Sequence, residues 1–411
     1  TPGGERFPDA TLDIANQVFK GLLTLCYLGH GGPSGLSQER VLQINDIKNW
    51  DNKKKPLVFI TATCSLTGFD NPSFVTTGEE TMLMPQGGAI ALFSTVRSVY
   101  SSENERLTNS VFDFIYQKEN GLPLRFGDIL VRAKNNQASD TLRDNARKFA
   151  LIGDPAQRIG LPSNRIKLNT INDIPAAIFD DTLSALDAIV LKGEVVDNSG
   201  NILKSFDGNL TVTFYDKQST RETLANDGDS YKYKFDEFRN VIFKGGATVQ
   251  DGKFSISFVV PKDINYELGA GKLSFYATDG KIDAGGYVDG PYVGGDIKNN
   301  IIDNLAPIVN VFINDTSFAY GGVTNENPIL LVDLKDDYGI NVTGNSIGHD
   351  LVATLTGPIR GNYILNDYYV SNLNDPASGR VRFPFSKLPA GEYEVAIKAW
   401  DISNNSAVSK L

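Results

Sequence analysis

Cysteine and histidine are scarce in this sequence. Its 411 residues include two cysteines, Cys26 and Cys64, and two histidines, His30 and His349. Two cysteines are too few for the disulfide framework of a small secreted scaffold. We do not expect them to be bonded to each other, because Cys26 lies about 13 Å behind His30 on a predicted strand whereas Cys64 is predicted near the level of His30. Cys26 is therefore expected to be a buried core residue.

Positive charge and long apolar segments are also limited. Lys and Arg together number 39 against 49 Asp and Glu, which gives a formal net charge of −10. The basic cluster that stands out is Lys53-Lys54-Lys55, and so small a cluster argues against nucleic acid as the main partner. No apolar run is long enough to cross a bilayer, and Thr1 opens no signal-peptide pattern.

The length and composition predict several domains. With 41% hydrophobic and 21% charged residues, the chain has enough apolar side chains for two or three separate cores. The pattern changes near Pro162, and we predict an α/β domain over 1–165 followed by β-sandwich domains over 175–300 and 301–411. The first predicted strand follows so closely on Thr1 that we expect earlier strands of its sheet to be missing or supplied by another chain.

The predicted α/β domain is organised around three short apolar runs, over 21–28, 56–63 and 88–96. Each run is rich in strand formers and too short for a helix. Continuous apolar runs are typical of buried parallel strands, and the segments between them are long enough for the crossovers that such strands need. If the strands lie side by side, His30 and Cys64 sit at their carboxyl ends, where open α/β sheets bind ligands.

Helical periodicity predicts helices around these strands. Thr77 with Glu80 three residues later matches a capping box and predicts a helix start. The segment 151–155 (Leu-Ile-Gly-Asp-Pro) is interpreted as a turn that closes the domain. The other predicted helices cover residues 9–20, 104–118, 126–133 and 141–150.

The rest of the chain favours β sandwiches. Short alternating runs are separated by Gly, Asp and Asn, and residues 296–304 predict a polar joint between two sets of strands. The closing segment 399–406 resembles the last strand and turn of a bacterial immunoglobulin-like module. The clearest predicted strands are 188–196, 210–215, 253–261, 272–277, 308–313, 328–333, 350–355 and 392–400.

His30 and Cys64 are candidates for a catalytic pair. A thiol becomes a strong nucleophile as thiolate, and an imidazole can take its proton. Gly29, Gly31 and Gly32 leave room for a substrate backbone, and the N–H groups of Gly31 and Cys64 would face a developing oxyanion. The alternative is a core thiol beside an incidental turn histidine, which the Gly-His-Gly-Gly loop directly after a strand disfavours.

The sequence around these two residues resembles the gingipain (C25) family of cysteine peptidases. The similarity is carried by residues 27–32 (Tyr-Leu-Gly-His-Gly-Gly) and 60–64 (Ile-Thr-Ala-Thr-Cys), with 87–92 after them. Within the family it is greatest to the surface sortases of the type IX secretion system of Bacteroidetes. Supporting segments are 39–41, 50–51, 69–72, 78–79, 95–100, 151–155, 336–340, 348–350 and 365–369.

The resemblance implies an α/β caspase-like (gingipain-type) domain, of which this chain holds the carboxyl-side portion, followed by two all-β immunoglobulin-like sandwich domains. His30 would be the general base and Cys64 the nucleophile, with the backbone of Gly31 and Cys64 as the oxyanion hole. Gingipains take an acidic partner from the half upstream, which this sequence lacks, so no third catalytic residue is assigned.

The resemblance also implies a role at the outer membrane of Gram-negative cells. Sortases of this kind lie on the cell surface, cleave the C-terminal sorting domains of secreted cargo proteins, and join the new carboxyl end to an amine of anionic lipopolysaccharide. A Cys thioester serves both hydrolysis and transfer. An outer-membrane β-barrel of the PorV type would be the partner. The alternatives are an inactive peptidase-fold scaffold that binds a partner or a glycan, and a general gingipain-like endopeptidase.

Several residues carry weaker signals. Arg97 and Tyr100, just past the third predicted strand, are candidate substrate-binding residues, although an ordinary loop is the simpler interpretation. Glu79 and Glu80 are interpreted as helix-start acids rather than catalytic ones. His349 has no second histidine at ligand spacing and is expected in a loop or packing role. No cofactor is required and no metal ligands are assigned, but the Asp/Asn/Gly loops could hold Ca²⁺, as gingipains do.

Overall fold

The chain forms two compact units, Thr1–Leu161 and Pro162–Leu411. The first combines helices with a mostly parallel sheet, and the second is built almost entirely of strands. No helix in the described part of the chain is both long and apolar enough to span a bilayer. The computed structural model describes residues 7–136, 143–225, 230–299, 301–345 and 348–411.

The elements of the first unit follow in chain order. They are α1 (Pro8–Lys20), β1 (Thr24–Leu28), β2 (Gly31–Gly32), β3 (Gly35–Leu36), β4 (Leu42–Gln43), α2 (Ile44–Ile47), β5 (Leu57–Ala62), α3 (Thr77–Leu83), β6 (Ala89–Thr95), α4 (Ser101–Ile115), β7 (Lys118–Glu119), β8 (Leu122–Pro123), α5 (Phe126–Asn135), α6 (Arg143–Lys148) and β9 (Phe149–Gly153).

The central sheet of this unit has the order β1-β5-β6-β9. Strands β1, β5 and β6 run parallel, and β9 runs antiparallel to β6. Every residue of β5 is buried, as its apolar run predicts. Its side chains alternate between two cores, because successive residues of a strand point to opposite faces. Val58 and Ile60 pack with α4 and α5, whereas Leu57 and Phe59 lie in the core that includes α1 and α2.

Strand β1 differs from the prediction in its burial. It lies at the edge of the described sheet, and its residues are half-buried or exposed. Cys26 is exposed, so the expectation that it belongs to the core was wrong. An edge strand has a neighbouring strand on one side only. Its side chains are therefore less buried than those of an equally apolar central strand.

The capping box of α3 lies one residue earlier than predicted. The Thr76 hydroxyl accepts the Glu79 N–H at 3.3 Å, and the Glu79 carboxylate accepts the Thr76 N–H at 2.8 Å. The hydroxyl of Thr77, the predicted cap, donates instead to the Pro33 carbonyl at 2.9 Å. Both threonines are followed by a glutamate three residues later, so the local pattern fits either register.

The segment 151–155 is a strand rather than a turn for most of its length. Residues 151–153 belong to β9, which pairs with β6 and buries Phe149 in the core. The turn comes after the strand, where the Asp154 carboxylate accepts the Ala156 N–H at 2.8 Å. The helix predicted over 141–150 ends at Lys148 for the same reason, and its residues 141–142 lie outside the described part of the chain.

The second unit contains the remaining strands and two short 3₁₀ helices, Ala176–Ile178 and Asn366–Tyr368. Its strands are β10 (Asn164–Ile171), β11 (Ile174–Pro175), β12 (Thr182–Leu183), β13 (Ala188–Val196), β14 (Gly208–Tyr215), β15 (Ser219–Glu222), β16 (Lys234–Glu237), β17 (Val241–Val249), β18 (Lys253–Val259), β19 (Gly269–Thr278), β20 (Asp283–Val293), β21 (Ile308–Ile313), β22 (Ile329–Lys335), β23 (Val352–Thr356), β24 (Gly361–Ile364), β25 (Tyr369–Asn372), β26 (Asp375–Pro384), β27 (Glu394–Trp400) and β28 (Ser406–Lys410).

These strands surround two hydrophobic cores. The first core lies against a sheet of order β17-β14-β19-β20-β10-β13-β18, with β11 and β12 paired at its side. The second core is shared by two four-stranded sheets, β21-β22-β26-β25 and β24-β23-β27-β28. The strands alternate buried and exposed residues, as in β18, because each has one face on a core and the other in solvent.

Candidate active site

The strands that precede His30 and Cys64 are hydrogen-bonded neighbours. β1 pairs with β5 in parallel, and the last residues in register are Leu28 and Ala62. The N–H of Gly29 continues the ladder by donating to the Ala62 carbonyl at 3.2 Å. His30 and Cys64 each follow two residues beyond this last pair, at the same carboxyl edge of the sheet.

The backbone of His30 is held from two sides. Its carbonyl accepts the Tyr27 hydroxyl at 2.6 Å and the Ser37 N–H at 2.8 Å. The chain then enters a small antiparallel hairpin in which Gly31 faces Leu36. The His30 residue itself is exposed. The imidazole is therefore carried by a fixed main chain at the protein surface.

Gly31 allows the histidine loop to contact the turn that carries Cys64. A Cβ atom at Gly31 would lie 2.6 Å from Thr63 Oγ1 and 3.0 Å from the Gly35 carbonyl oxygen. Real Cβ contacts are not this short, so only glycine fits without movement of its neighbours. Gly32 differs, because a Cβ there would meet no atom within 4 Å. The two turns are thus packed directly against each other through Gly31 and Thr63.

Cys64 is partly exposed and lies at a sharp turn. Its Sγ atom is 3.8 Å from the Val99 carbonyl oxygen. The next residue, Ser65, has a left-handed backbone with φ of 49° and donates its N–H to the Arg97 carbonyl at 3.2 Å. Cys64 and Cys26 are both free thiols. The sulfur therefore sits between the end of β5 and the loop that follows β6.

A set of buried hydroxyl groups supports this turn. Ser94 Oγ on β6 accepts hydrogen bonds from Thr61 Oγ1 at 2.7 Å and from Thr67 Oγ1 at 2.5 Å. The Thr95 hydroxyl donates to the carbonyl of Thr63, the residue before Cys64. These residues were not among the candidates predicted from the sequence. For Thr61, Ser94 and Thr95 the signal was the position of a Ser or Thr inside an otherwise apolar run, where a hydroxyl must find a partner.

Arg97 and Tyr100 lie on the loop after β6. The Arg97 guanidinium makes two hydrogen bonds, of 3.0 and 2.5 Å, to the carboxylate of Asp70. These hydrogen bonds lower the pKa of the exposed Asp70 carboxyl. The Tyr100 ring is exposed, and its backbone N–H and carbonyl are held by the Asn145 amide at 3.1 and 2.8 Å. This loop brings Val99, rather than the side chain of Arg97, to the Cys64 sulfur.

Two other polar residues singled out in the sequence have structural partners. Glu79 completes the capping box of α3, in keeping with its interpretation as a helix-start acid. His349 belongs to the second unit, where its Nδ1 lies 2.6 Å from Asp263 Oδ2 and its ring centroid lies 4.1 Å from that of Trp400. His349 thus has a packing role, as predicted.

The part of the chain that matches a known protein family is the first unit. Residues 1–160 match the family model for peptidase family C25. This matched segment contains both His30 and Cys64 and the strands that carry them. No curated protein matches the sequence.

Solved structures similar to this chain include PorU and a gingipain. Dimeric latent PorU from Porphyromonas gingivalis is 30% identical, with a TM-score of 0.38, and the match covers 79% of this chain and 31% of that one. The complex of the pro- and mature domains of Porphyromonas gingivalis RgpB is 14% identical, with a TM-score of 0.35, covering 69% and 57% of the two chains. The Arg-specific cysteine proteinase gingipain R (RgpB) is 14% identical, with a TM-score of 0.34, covering 71% and 57%.

The chain therefore spans less than a third of the PorU chain and somewhat more than half of the RgpB chains. The family match falls on the segment whose motifs carry the resemblance noted from the sequence alone. The first 160 residues of the chain match peptidase family C25, and the chain is similar to PorU over 79% of its length.

Proposed function

We propose that this chain is the catalytic-core portion of a cell-surface cysteine peptidase that acts as a sortase. One observation carries the catalytic part of the proposal. Two neighbouring parallel strands end level with each other, and His30 and Cys64 each follow two residues after those ends, inside the segment that matches family C25. An imidazole and a thiol on adjacent strand ends are suited to act on one substrate bond.

The proposed reaction begins when His30 takes the proton of the Cys64 thiol. The thiolate attacks the carbonyl carbon of the scissile peptide bond, and the resulting tetrahedral oxyanion is stabilised by the N–H groups of Gly31 and Cys64. His30 then gives its proton to the leaving amine, and the C–N bond breaks. The carboxyl half of the bond remains on Cys64 as a thioester.

The fate of the thioester decides between a peptidase and a sortase. Attack by water releases a free carboxylate, whereas attack by an amine forms a new amide bond and regenerates the thiol. The sequence resemblance favours C-terminal sorting domains of secreted cargo as substrates and an amine of anionic lipopolysaccharide as acceptor. It also favours an outer-membrane location in a Gram-negative cell and an outer-membrane β-barrel of the PorV type as partner.

The same proposal assigns an architecture to each unit. The α/β unit is interpreted as the carboxyl-side portion of a caspase-like domain, and the two sets of strands in the second unit as immunoglobulin-like sandwiches. Arg97 and Tyr100 would border the substrate channel, Tyr100 through its exposed ring. The Arg97 guanidinium is already engaged with Asp70, so its contribution would be to fix the loop beside Cys64.

The test is active-site labelling with a peptide that carries a thiol-reactive acyloxymethyl ketone after a sorting-domain cleavage sequence. We expect mass spectrometry to find the label on Cys64, absent from Cys64→Ala and slowed by about 10²-fold or more in His30→Ala. Cys26→Ala is the matched control and should label as the parent does.

The outcomes separate the three functions considered. Label on neither cysteine, in the full-length protein with an authentic sorting-domain substrate, would favour a scaffold without peptidase activity. Cleavage of arbitrary Arg or Lys peptides with no preference for sorting domains would indicate a general endopeptidase. Amide formation between cleaved cargo and an added amine would support the sortase.

A further inference from the structure

An exposed ion pair lies beside the candidate catalytic cysteine. Asp70 belongs to the segment that follows Cys64, and Arg97 belongs to the loop between β6 and α4. The guanidinium of Arg97 donates to both carboxylate oxygens of Asp70, at 3.0 and 2.5 Å. About half of each side chain is exposed, 56% for Arg97 and 51% for Asp70. A substrate bound at Cys64 can therefore meet this pair.

The loop that carries Arg97 is bonded to the turn that carries the sulfur. The Ser65 N–H donates to the Arg97 carbonyl at 3.2 Å, and the Val99 carbonyl oxygen lies 3.8 Å from Cys64 Sγ. Arg97 Nη1 also donates to the Val96 carbonyl at 2.7 Å. The guanidinium is thus oriented by its own loop as well as by the carboxylate. The pair therefore has a fixed place relative to the proposed nucleophile.

The two segments that flank the sulfur carry one charged residue each. Asp70 is the only Asp, Glu, Lys or Arg in residues 65–78, and Arg97 is the only one in residues 89–102. Each is bound to the other, so these two segments, which the structure describes in full, present no unpaired charge. An aromatic surface lies next to the pair, because Phe69 is 55% exposed. This side of the candidate site is therefore suited to uncharged substrate groups.

An ion pair in this position disfavours charged substrate residues of either sign. A Lys or Arg side chain that binds here loses water, and the carboxylate that would compensate it already holds a guanidinium in two hydrogen bonds. An acidic side chain finds the guanidinium occupied in the same way. Exposed ion pairs contribute little to the stability of a fold, whereas unmatched charges in a binding site discriminate strongly between ligands. The main consequence of the pair is therefore expected in the choice of substrate.

We propose that Asp70 and Arg97 together determine the charge preference of the cysteine site, which accepts an uncharged residue on the amino side of the scissile bond and disfavours Lys, Arg, Asp and Glu there. This inference rests on the proposed peptidase and deepens it. The side chain concerned is that of the P1 residue, because its Cα is bonded to the carbonyl carbon that Cys64 attacks. Removal of either partner frees the other to bind a P1 residue of the opposite charge.

The test uses three acyloxymethyl ketone peptides that differ only in a P1 residue of Lys, Gln or Glu. Mass spectrometry measures the rate constant of labelling at Cys64 on the full chain. In the parent, the Gln probe should react at least about tenfold faster than either charged probe. In Arg97→Gln, the ratio of the Lys rate to the Gln rate should rise at least about tenfold, because Asp70 is free to accept the ammonium group. Adding Asp70→Asn to that variant should return the ratio to the parent value.

Asp70→Asn alone gives the reciprocal measurement if Arg97→Gln folds poorly. It should raise the ratio of the Glu rate to the Gln rate, since the guanidinium no longer holds a carboxylate, and leave the Lys ratio low. Arg125→Gln is the matched control. It removes a guanidinium that is also about half exposed and bonded twice to a carboxylate, that of Asp128, at the opposite edge of the sheet where β9 ends. Both ratios should keep their parent values in this control.

Ratios of rates are compared because a loop that is merely loosened slows all three probes alike. A parent that reacts with the Lys or Glu probe as fast as with the Gln probe would overturn the role of the pair and leave the peptidase intact. The same conclusion would follow if Arg97→Gln and Asp70→Asn, both shown to be folded by circular dichroism, kept the ratios of the parent. Absence of labelling at Cys64 by every probe would refute the peptidase and this inference with it.

Discussion

The catalytic candidates of the first unit and the polar residues around Asp263 in the second unit have opposite surroundings. In the α/β unit, His30 and the partly exposed Cys64 stand on turns at the rim of the sheet. In the β unit, Asp263 is 6% exposed and receives hydrogen bonds from the side chains of Asn341, His349 and Asn404. An exposed polar residue beside a buried strand end is free to meet a substrate, whereas a buried and fully bonded one holds the chain together. Substitution of the exposed residues should therefore change activity, whereas substitution of the buried ones should change stability.

The largest expected effect is on activity in the first unit. Cys64→Ala should lower kcat/KM for peptide cleavage by at least about 10³-fold, because the nucleophile is lost. The free energy of unfolding should change little, since the side chain is small and partly exposed. The check is a cleavage assay beside urea unfolding. A Cys64→Ala variant that lost both activity and stability would contradict the inference that Cys64 serves catalysis rather than the stability of the fold.

The second effect is on stability in the second unit. Asp263→Ala removes the carboxylate that accepts hydrogen bonds from the Asn341 and Asn404 amides and the His349 ring, and should cost about 3–5 kcal/mol of unfolding free energy. Urea unfolding followed by the fluorescence of Trp400 measures it, and replacing Trp50, the other of the chain's two tryptophans, with Phe isolates that signal.

The control for Asp263→Ala is Asp289→Ala, which removes an exposed carboxylate from the same unit and should be nearly neutral. The rate at which the thiol-reactive peptide labels Cys64 should be the same in both variants. If Asp263→Ala unfolded at the urea concentration of the parent, burial of polar groups in this unit would not have the structural role inferred here.

The third effect concerns the close contact that Gly31 makes in the loop that carries His30. Gly31→Ala places a Cβ against Thr63 Oγ1 and the Gly35 carbonyl, and should lower activity by about 10–100-fold as the loop shifts. Gly32→Ala is the matched control, since its Cβ would meet nothing within 4 Å. Equal loss of kcat/KM in the two variants would show that the close contact at Gly31 is not required for activity.

The smallest effect concerns the exposed pair formed by Asp70 and Arg97. Its hydrogen bonds lower the pKa of Asp70, so the pair contributes stability above the pKa of an unfolded Asp, about 4, and loses it as the pH falls through the lowered folded value. Asp70→Asn should therefore lower the urea midpoint slightly at pH 7. The difference from the parent should vanish in strong acid. Asp51→Asn, an exposed residue nearby in sequence, should show no such pH-dependent difference.

Much of the fold followed from local patterns. The runs that became β5, β6 and β13 were predicted nearly to the residue, because continuous or alternating apolar sequences allow few other structures. The exposure of Cys26 was not predictable in this way. Whether a strand lies at an edge depends on which strands flank it, and that is a property of the assembled sheet.

The candidate site was predictable only in part. Parallel strands end at the same edge of a sheet, so the placement of His30 and Cys64 at one edge followed from the sheet alone. The contact between Gly31 and Thr63 required coordinates.

The loop between β6 and α4 is anchored at both ends and in the middle. The Thr95 hydroxyl donates to the Thr63 carbonyl, and the Val99 carbonyl lies near the Cys64 sulfur. The backbone of Tyr100 is hydrogen-bonded to the Asn145 amide. Most surface loops accept added or deleted residues, because nothing fixes their span. Here one extra residue would push either the sulfur or the start of the next helix out of place. Relatives that keep the thiol should therefore keep this stretch at constant length, even where its side chains have diverged.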